Sequence, residues 1–445
     1  MSSHELTGLG AIDAARSIAQ GEITSEALVA ACLGRIAARD GDVRAWAHLD
    51  PEHALRTARE ADEARVEGKG GGPLHGVPIG IKDVIDTADY PTEHGSPAFA
   101  GRRPEEDAAV VTALRAAGAI ILGKTVTTEL ATLTPGVTRN PRNTAHTPGG
   151  SSSGSAAAVA DAMVPIALGT QTGGSVIRPA SFCGVYGFKP TFGLVPRPGV
   201  LAQAPSLDTL GVFGRSIEDL ALVGDVLQAY DPRDPASIAQ SRPSLRSLAT
   251  MAWPVAPTFA YVRSPAWAAA DPRLHEAFGE LVEALGDRVV EVDIDLVIQQ
   301  GLTAARVIQK VELACHFGPV LDSSPGLVSR RLAGDIEEGR ALKGVDYAAA
   351  LAARKTFHAI VDDIFLNHGT ILTPAAPGPA PEGLETTGNP VFNAFWTYLG
   401  VPAVTLPLLE ADGLPIGVQL VGARRDDGRL LRTARLLVEQ LAQGD

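Results

Sequence analysis

Two glycine pairs, each followed directly by serine, stand in one segment of the chain. They are Gly149-Gly150-Ser151 and Gly173-Gly174-Ser175, within TPGGSSSGSAAAVADAMVPIALGTQTGGSVIRPASFCGVYGFKP from Thr147 to Pro190. Glycine ahead of a reactive serine lets the backbone take positive φ and approach a substrate closely, and it frees peptide N–H groups to face a developing negative charge. Two serines presented this way point to acyl transfer. Such chemistry needs a base, and none of the histidines sits in a supporting motif. Lys82, at the end of the apolar run Val77-Pro78-Ile79-Gly80-Ile81, is the candidate that remains. Desolvation lowers a lysine's pKa, so that its neutral amine can accept a proton.

Two short motifs compete with that reading. Gly118 to Thr125, GAIILGKT, fits the phosphate-loop expression, which would imply a nucleotide hydrolase. Its four middle residues, however, make a strand rather than a loop of free N–H groups, and its helix precedes it instead of following. Gly150 to Gly154, GSSSG, fits the nucleophile elbow G-x-S-x-G with Ser152 at its centre. An elbow needs a strand before it, and Arg139 to Pro148, RNPRNTAHTP, carries two prolines and several polar residues that no central strand tolerates. His146 in that stretch reads as a turn residue rather than a base. Without HExxH, CxxC or a Cys/His ligand spacing, no metal is expected, and Cys183 between Phe182 and Gly184 reads as a buried structural thiol.

The elements that must position these residues follow from periodicity. The first part, to about Lys69, is helical over Ala11 to Gln20, Ser25 to Ala38 and Pro51 to Glu67. From Leu74 short apolar runs bounded by glycine and proline take over: strands at Val77 to Val84, Ala119 to Leu122 and Val164 to Leu168, with a helix at Val110 to Ala117. Ser216 to Ala229 is an amphipathic helix, and Pro232 to Pro257 reads as a surface excursion rich in proline and serine. Strands and helices then alternate through Phe259 to Val262, Asp271 to Leu285, Arg288 to Val292, Leu302 to His316, Tyr347 to Asn367 and Thr370 to Leu372. A loop over Thr373 to Asn389, strands at Ala403 to Leu406 and Ile416 to Val421, and a helix from Gly428 to Gln440 close the chain. The alternation predicts an α/β fold with helices on both faces of a sheet.

Composition excludes several classes of function. With 445 residues, 45% of them hydrophobic and 20% charged, the chain can bury a sizeable core and lacks the signature of disorder. A net charge of −13 and the absence of any basic run disfavour nucleic acid and anionic membrane as partners. Cys32, Cys183 and Cys315 cannot all pair and read as reduced thiols. No signal peptide is visible, and the most apolar stretch, Ala156 to Leu168, is broken by Asp161 and Pro165, so a cytoplasmic location is expected.

The chain resembles the amidase signature family, which includes malonamidase and the amidotransferase subunit that releases ammonia from glutamine. The resemblance rests on GVPIGIKD at Gly76 to Asp83, GGSSSGSAAAVA at Gly149 to Ala160, GTQTGGSVIRPASFCGVYGFKPT at Gly169 to Thr191, and LPIGVQLVG at Leu414 to Gly422. It implies a single amidase domain over residues 1–445 built on a large twisted mixed β-sheet. Within it, residues 1–69 form a helical part, 70–215 the signature core, 230–370 a variable, substrate-shaping region, and 371–445 a return to the sheet. It implies an amidase in which Ser175 is the nucleophile, Ser151 a bridging serine after a cis Gly150–Ser151 bond, and Lys82 the base. Thr172, Gly173, Gly174 and Ser175 would form the oxyanion hole. Ser152, Ser153 and Ser155 would cap a helix and hold the loop, and Asp83 would either orient the site or shape a turn. A carbamate or ester could serve the same triad, and an A-type amidotransferase subunit is the alternative of another class. No cofactor is implied. The partners are a small-molecule amide or carbamate and a second copy of the chain in a homodimer.

One departure from the pattern bears on substrate. Most members carry an aspartate two residues before the second glycine pair and an arginine two residues after the nucleophile, whereas this chain, like malonamidase, has Gln171 and Ile177 there and its arginine at position 178. Arg178, with Gln171 beside it, is then expected at the substrate. Either the guanidinium grips a substrate carboxylate, or it makes an ordinary ion pair elsewhere.

Overall fold

The apolar runs pair into one sheet in the computed structural model, which describes residues 1–253 and 256–443. Pro254 and Val255 of the expected excursion, and Gly444 and Asp445 at the end of the last segment, lie outside the described residues. The strands are β1 (Trp46–Leu49), β2 (Pro78–Lys82), β3 (Ile120–Thr125), β4 (Ile166–Gln171), β5 (Tyr186–Lys189), β6 (Thr209–Gly214), β7 (Phe259–Tyr261), β8 (Val289–Glu291), β9 (Thr370–Pro374), β10 (Ala403–Ala411) and β11 (Leu414–Val421). Their order is β1-β3-β2-β4-β6-β5-β10-β11-β9-β7-β8.

The sheet is mixed for a reason visible in its connections. Parallel neighbours need a crossover. Helix Ala109–Ala116 joins β2 to β3, helix Ser153–Ala160 joins β3 to β4, and helix Pro272–Leu285 joins β7 to β8, and the strands so joined run parallel to β2 or β7. From β4 through β6, β5, β10 and β11 to β9 the pairs are antiparallel. β2, β3, β4 and β6 are buried at every position, as near-continuous apolar strands covered on both faces should be.

Several elements differ from the sequence reading. β3 runs on through Gly123-Lys124-Thr125, so the residues that mimic a phosphate loop are a buried strand. Ala403 to Leu406 extends to Ala411 and turns into β11 across Asp412 and Gly413, whose positive φ values of 52° and 74° suit a tight hairpin turn. The surface excursion contains helix Leu245–Thr250, tied to the last helix by Arg435 Nε donating to the Ala249 carbonyl at 2.8 Å.

Leu302 to His316 is the middle of a longer helix, Asp295–Ser323, and Arg330–Ala341 forms a further helix with only Leu332, Ile336 and Gly339 buried. So sparse an apolar stripe gives little periodicity to read. Gly339 lets this helix press close, because a Cβ there would lie 2.0 Å from the Lys310 carbonyl oxygen. Among the described residues no helix is long and apolar enough to cross a membrane. Cys32 and Cys183 are buried, Cys315 is exposed, and all three are free.

Candidate active site

β2 and β4 are parallel neighbours, so their carboxyl ends open on the same edge of the sheet. β2 ends in Lys82 and β4 leads directly into Thr172–Ser175. The Lys82 side chain is 0% exposed, and its Nζ lies 2.7 Å from Ser151 Oγ and 2.7 Å from Thr170 Oγ1. Among the described residues no carboxylate forms an ion pair with it. Burial therefore pushes its pKa well below the ordinary lysine value, opposed only by the charge of Asp208.

Ser151 follows a cis Gly150–Ser151 peptide, and its carbonyl accepts from Thr128 N at 3.3 Å. The serines after it fasten the strand beside them. Ser152 Oγ donates to the Thr170 carbonyl at 3.1 Å and accepts from Thr170 N at 3.2 Å. Ser155 Oγ donates to the Leu168 carbonyl at 2.8 Å and lies 2.7 Å from Thr125 Oγ1, while Ser153 Oγ donates to the Val126 carbonyl at 3.3 Å. The expected helix cap is thus corrected: helix Ser153–Ala160 has no side-chain cap, because these hydroxyls are committed to the strands instead.

Ser175 is half-buried on the wall of a cavity also lined by Thr172, Gly173, Gly174, Arg178 and Gln203. No hydrogen bond joins Ser175 to Ser151 among the described residues. The glycine pair ahead of it is held by its carbonyls: Gly173 O accepts from Thr397 Oγ1 at 2.6 Å, and Gly174 O from Arg178 N at 3.0 Å. In a trans peptide the following N–H points opposite to the carbonyl. Pinning these two oxygens therefore turns the N–H groups of Gly174 and Ser175 away from those partners, and neither has an acceptor among the described residues. Position 174 favours glycine, since a Cβ there would sit 2.4 Å from Asn393 Oδ1 and force that side chain to shift.

Gln171 does not join the cavity lining, and the expectation that it meets substrate is corrected. Its Oε1 accepts from Val176 N and Ile177 N at 2.8 and 3.0 Å, and its Nε2 donates to Thr397 Oγ1 at 2.9 Å. It caps helix Ile177–Cys183, whose first N–H groups would otherwise be orphaned in the core.

Arg178 is 1% exposed and pairs with no carboxylate among the described residues, so the ordinary ion pair is not what holds it. Nε donates to the Thr387 carbonyl at 2.6 Å and Nη2 to the Gly150 carbonyl at 2.7 Å, while Nη1 is buried and has no partner among the described residues. Burial lowers its pKa to about 9, which still leaves the guanidinium charged at neutral pH.

Asp83 points away from Lys82. It accepts from Glu93 N and Gly95 N at 3.2 and 3.4 Å and lies 3.5 Å from Lys124 Nζ, which makes it the anchor of a turn. His146 Nδ1 lies 2.7 Å from the Ala380 carbonyl and holds a loop.

Sequence reading missed Thr170, Thr387, Thr397 and the cavity mouth formed by Gln309, Lys310 and Asp335, where Lys310 forms ion pairs with Asp335 and Glu338. Only Thr170 left a local signal, because strand alternation puts it on the face of Thr172.

The family model described as Amidase matches residues 27–309. The A-type subunit of glutamyl-tRNA(Gln) amidotransferase from Chloroflexus aggregans is 34% identical over 470 residues, covering 94% of this chain and 93% of that protein. Among solved structures, the peptide amidase from Stenotrophomonas maltophilia superposes with a TM-score of 0.80 at 28% identity, over 97% of this chain and 96% of that one. A 6-aminohexanoate cyclic dimer hydrolase complexed with substrate does so at 0.86 and 25%, over 98% of each chain. A chain from a vestigial protein complex connected with the origins of an s-triazine catabolic enzyme does so at 0.89 and 29%, over 97% and 98%.

Proposed function

The chain belongs to the amidase family, and on that premise we propose that it is an amide hydrolase working through Lys82, Ser151 and Ser175. The observation that carries the reading is a fully buried lysine, stripped of any ion pair, whose amine touches the Ser151 hydroxyl at 2.7 Å. Thr170 Oγ1 takes a second position on the amine at 2.7 Å, so that the neutral amine can donate there while it accepts the Ser151 proton.

Lys82 takes the Ser151 proton as Ser151 takes that of Ser175, and Ser175 Oγ adds to the substrate carbonyl. The oxyanion is received by the N–H groups at Gly174 and Ser175, each such donor stabilising the transition state by about 3 kcal/mol. Collapse breaks the C–N bond, and the proton returns through Ser151 to the departing amine. Water then attacks the acyl-enzyme by the same relay, releasing the acid and restoring Ser175.

Arg178 lines the same cavity, and its buried Nη1 is a donor without a partner among the described residues, which suits a carboxylate on a substrate that reaches it. Arg178→Ala also frees the Gly150 carbonyl and should slow every substrate, but it should raise KM for anionic amides by a further factor on the order of a hundred over that for neutral ones. Equal losses on both, measured side by side, would remove carboxylate anchoring from the reading.

Carbamates and esters present the same electrophilic carbonyl, and a mass-spectrometric screen of amides, amino-acid amides, anilides and carbamates assigns the class. The full-length similarity to the A-type component of an amidotransferase supports a second reading, a subunit that acts within a complex. The purified chain tested alone separates the two. Turnover with an acyl adduct on Ser175 supports the hydrolase, and activity that appears only with a partner protein supports the second reading.

A further inference from the structure

Beyond the three residues of the relay, the end of the β4–β6 pair places a carboxylate where none was expected. Gln171 of β4 pairs with Thr209 of β6 in the antiparallel register, so the next row sets Thr172 opposite Asp208. Side chains alternate along a strand, and cross-strand partners share a face. Asp208 therefore lies on the face of Thr172 and Thr170, the face where Thr170 holds the Lys82 amine.

The contacts of Asp208 tie both walls of the catalytic cavity together. Oδ1 accepts from Thr172 Oγ1 at 2.5 Å, and Oδ2 accepts from the N–H groups of Gln203 and Ala204, each at 2.9 Å. Thr172 and Gln203 both line the cavity that holds Ser175. Arg197 donates to the backbone carbonyls of Pro205 and Asp208, at 2.6 and 3.1 Å, and forms its ion pair with Asp234 at 2.8 Å. Among the described residues Asp208 has no ion-pair partner. It is a buried carboxylate held by three donors and by no ion pair, with the Arg197 charge acting on it from beyond ion-pair distance.

We propose that Asp208 is the positioning residue of this site: it fixes the oxyanion loop through Thr172, and its charge stabilises the ammonium that Lys82 becomes when Ser175 attacks. The proposal rests on the hydrolase reading above. Two groups around Lys82 are hydroxyls, Ser151 and Thr170, and neither carries charge. Asp208 is the charge that raises the proton affinity of Lys82 against burial. Around Asp208 itself burial dominates and leaves the pKa above the ordinary carboxylate value, opposed by the hydrogen bonds from Thr172, Ala204 and Gln203 and by the Arg197 charge.

The two tasks can be separated by two substitutions. Asp208→Asn keeps the shape and removes the charge; Thr172→Val keeps the charge and cuts the tether. With [13C]lysine-labelled full-length protein, the Lys82 resonance is identified by its loss in Lys82→Met and titrated without substrate. Asp208→Asn should move that midpoint to lower pH, move the acid limb of kcat/KM with it, and lower the plateau on the order of a hundredfold. Thr172→Val should lower the plateau about tenfold and leave the midpoint in place.

An unmoved midpoint in folded Asp208→Asn overturns the proposal, as does a Thr172→Val shift equal to that of Asp208→Asn, since loop geometry would then explain both. Should Asp208→Asn not fold, Thr172→Val decides alone, and an unchanged plateau overturns the tether. Because the titration needs no turnover, an enzyme inactive on every amide tested counts against hydrolysis while Asp208 is still measured.

Discussion

Lys82 on β2 and Lys124 on β3 are both fully buried and sit one row apart, with Ile81 beside Lys124 and Lys82 beside Thr125. Alternation along the strands sends them to opposite faces of the sheet. On one face Lys82 meets only the hydroxyls of Ser151 and Thr170. On the other, Lys124 meets the Pro91 carbonyl at 3.2 Å, the Thr92 hydroxyl at 2.5 Å and the Asp83 carboxylate at 3.5 Å. Burial lowers both, but the Asp83 charge halts Lys124 at about 8, whereas Lys82 falls well below the ordinary lysine range.

A third buried lysine sharpens the lesson. Lys189 is brought to about 7 by burial, yet its Nζ reaches only the carbonyls of Pro190 and Val401, at 2.9 and 2.7 Å. A carbonyl has no proton to hand over. A low pKa alone does not make a lysine a base; a hydroxyl within reach, itself leading to a nucleophile, is also required.

The largest effect should come from exchanging the two roles. Lys82→Arg, whose guanidinium stays protonated, should lose at least about ten-thousand-fold in kcat/KM at every pH, while the wild type gains activity with rising pH as Lys82 sheds its proton. Lys124→Met should keep kcat within about tenfold and lose stability by about 3 to 5 kcal/mol in denaturant titrations, because Asp83 is left buried without its cation. Comparable activity losses in the two variants would erase the distinction between the faces.

Removing the bridge tests the smaller half of the comparison. Ser151→Ala should lower kcat by about a hundred- to ten-thousand-fold, with Ser175 acylation slowed to match in single-turnover experiments. The least severe change is Thr170→Val, which frees the amine from its second hydroxyl and should cost about tenfold in kcat with KM unmoved. A KM effect there would mean that Thr170 contacts substrate instead of steadying the base.

Much of this site was legible in the chain, and the reasons are local. Glycine pairs ahead of Ser151 and Ser175 announce close backbone approach whatever surrounds them. The apolar run ending at Lys82 announces burial. Gln171 was misplaced because its partners, Val176 N and Thr397, depend on how the loop after β4 curls and on a helix far along the chain. Arg178 was left with two readings because its hold on Thr387 comes from a loop with no motif. Helix Arg330–Ala341, which brings Asp335 to the cavity mouth, was missed because its buried stripe is only three residues.

The order of apolar runs, glycines and hydroxyls along the chain determined by itself that this is an α/β protein, and it pointed to serine chemistry with no evident histidine base. It singled out Lys82 after Gly80-Ile81 but gave no role to Lys124, which follows the similar pair Leu122-Gly123. Burial follows from local pattern, because apolar neighbours carry a strand into the core wherever the core is. The groups that surround a buried amine come from distant parts of the chain, and only the tertiary structure brought Ser151 and Thr170 to 2.7 Å from Lys82 while the register of β2 and β3 put Asp83 on the face of Lys124.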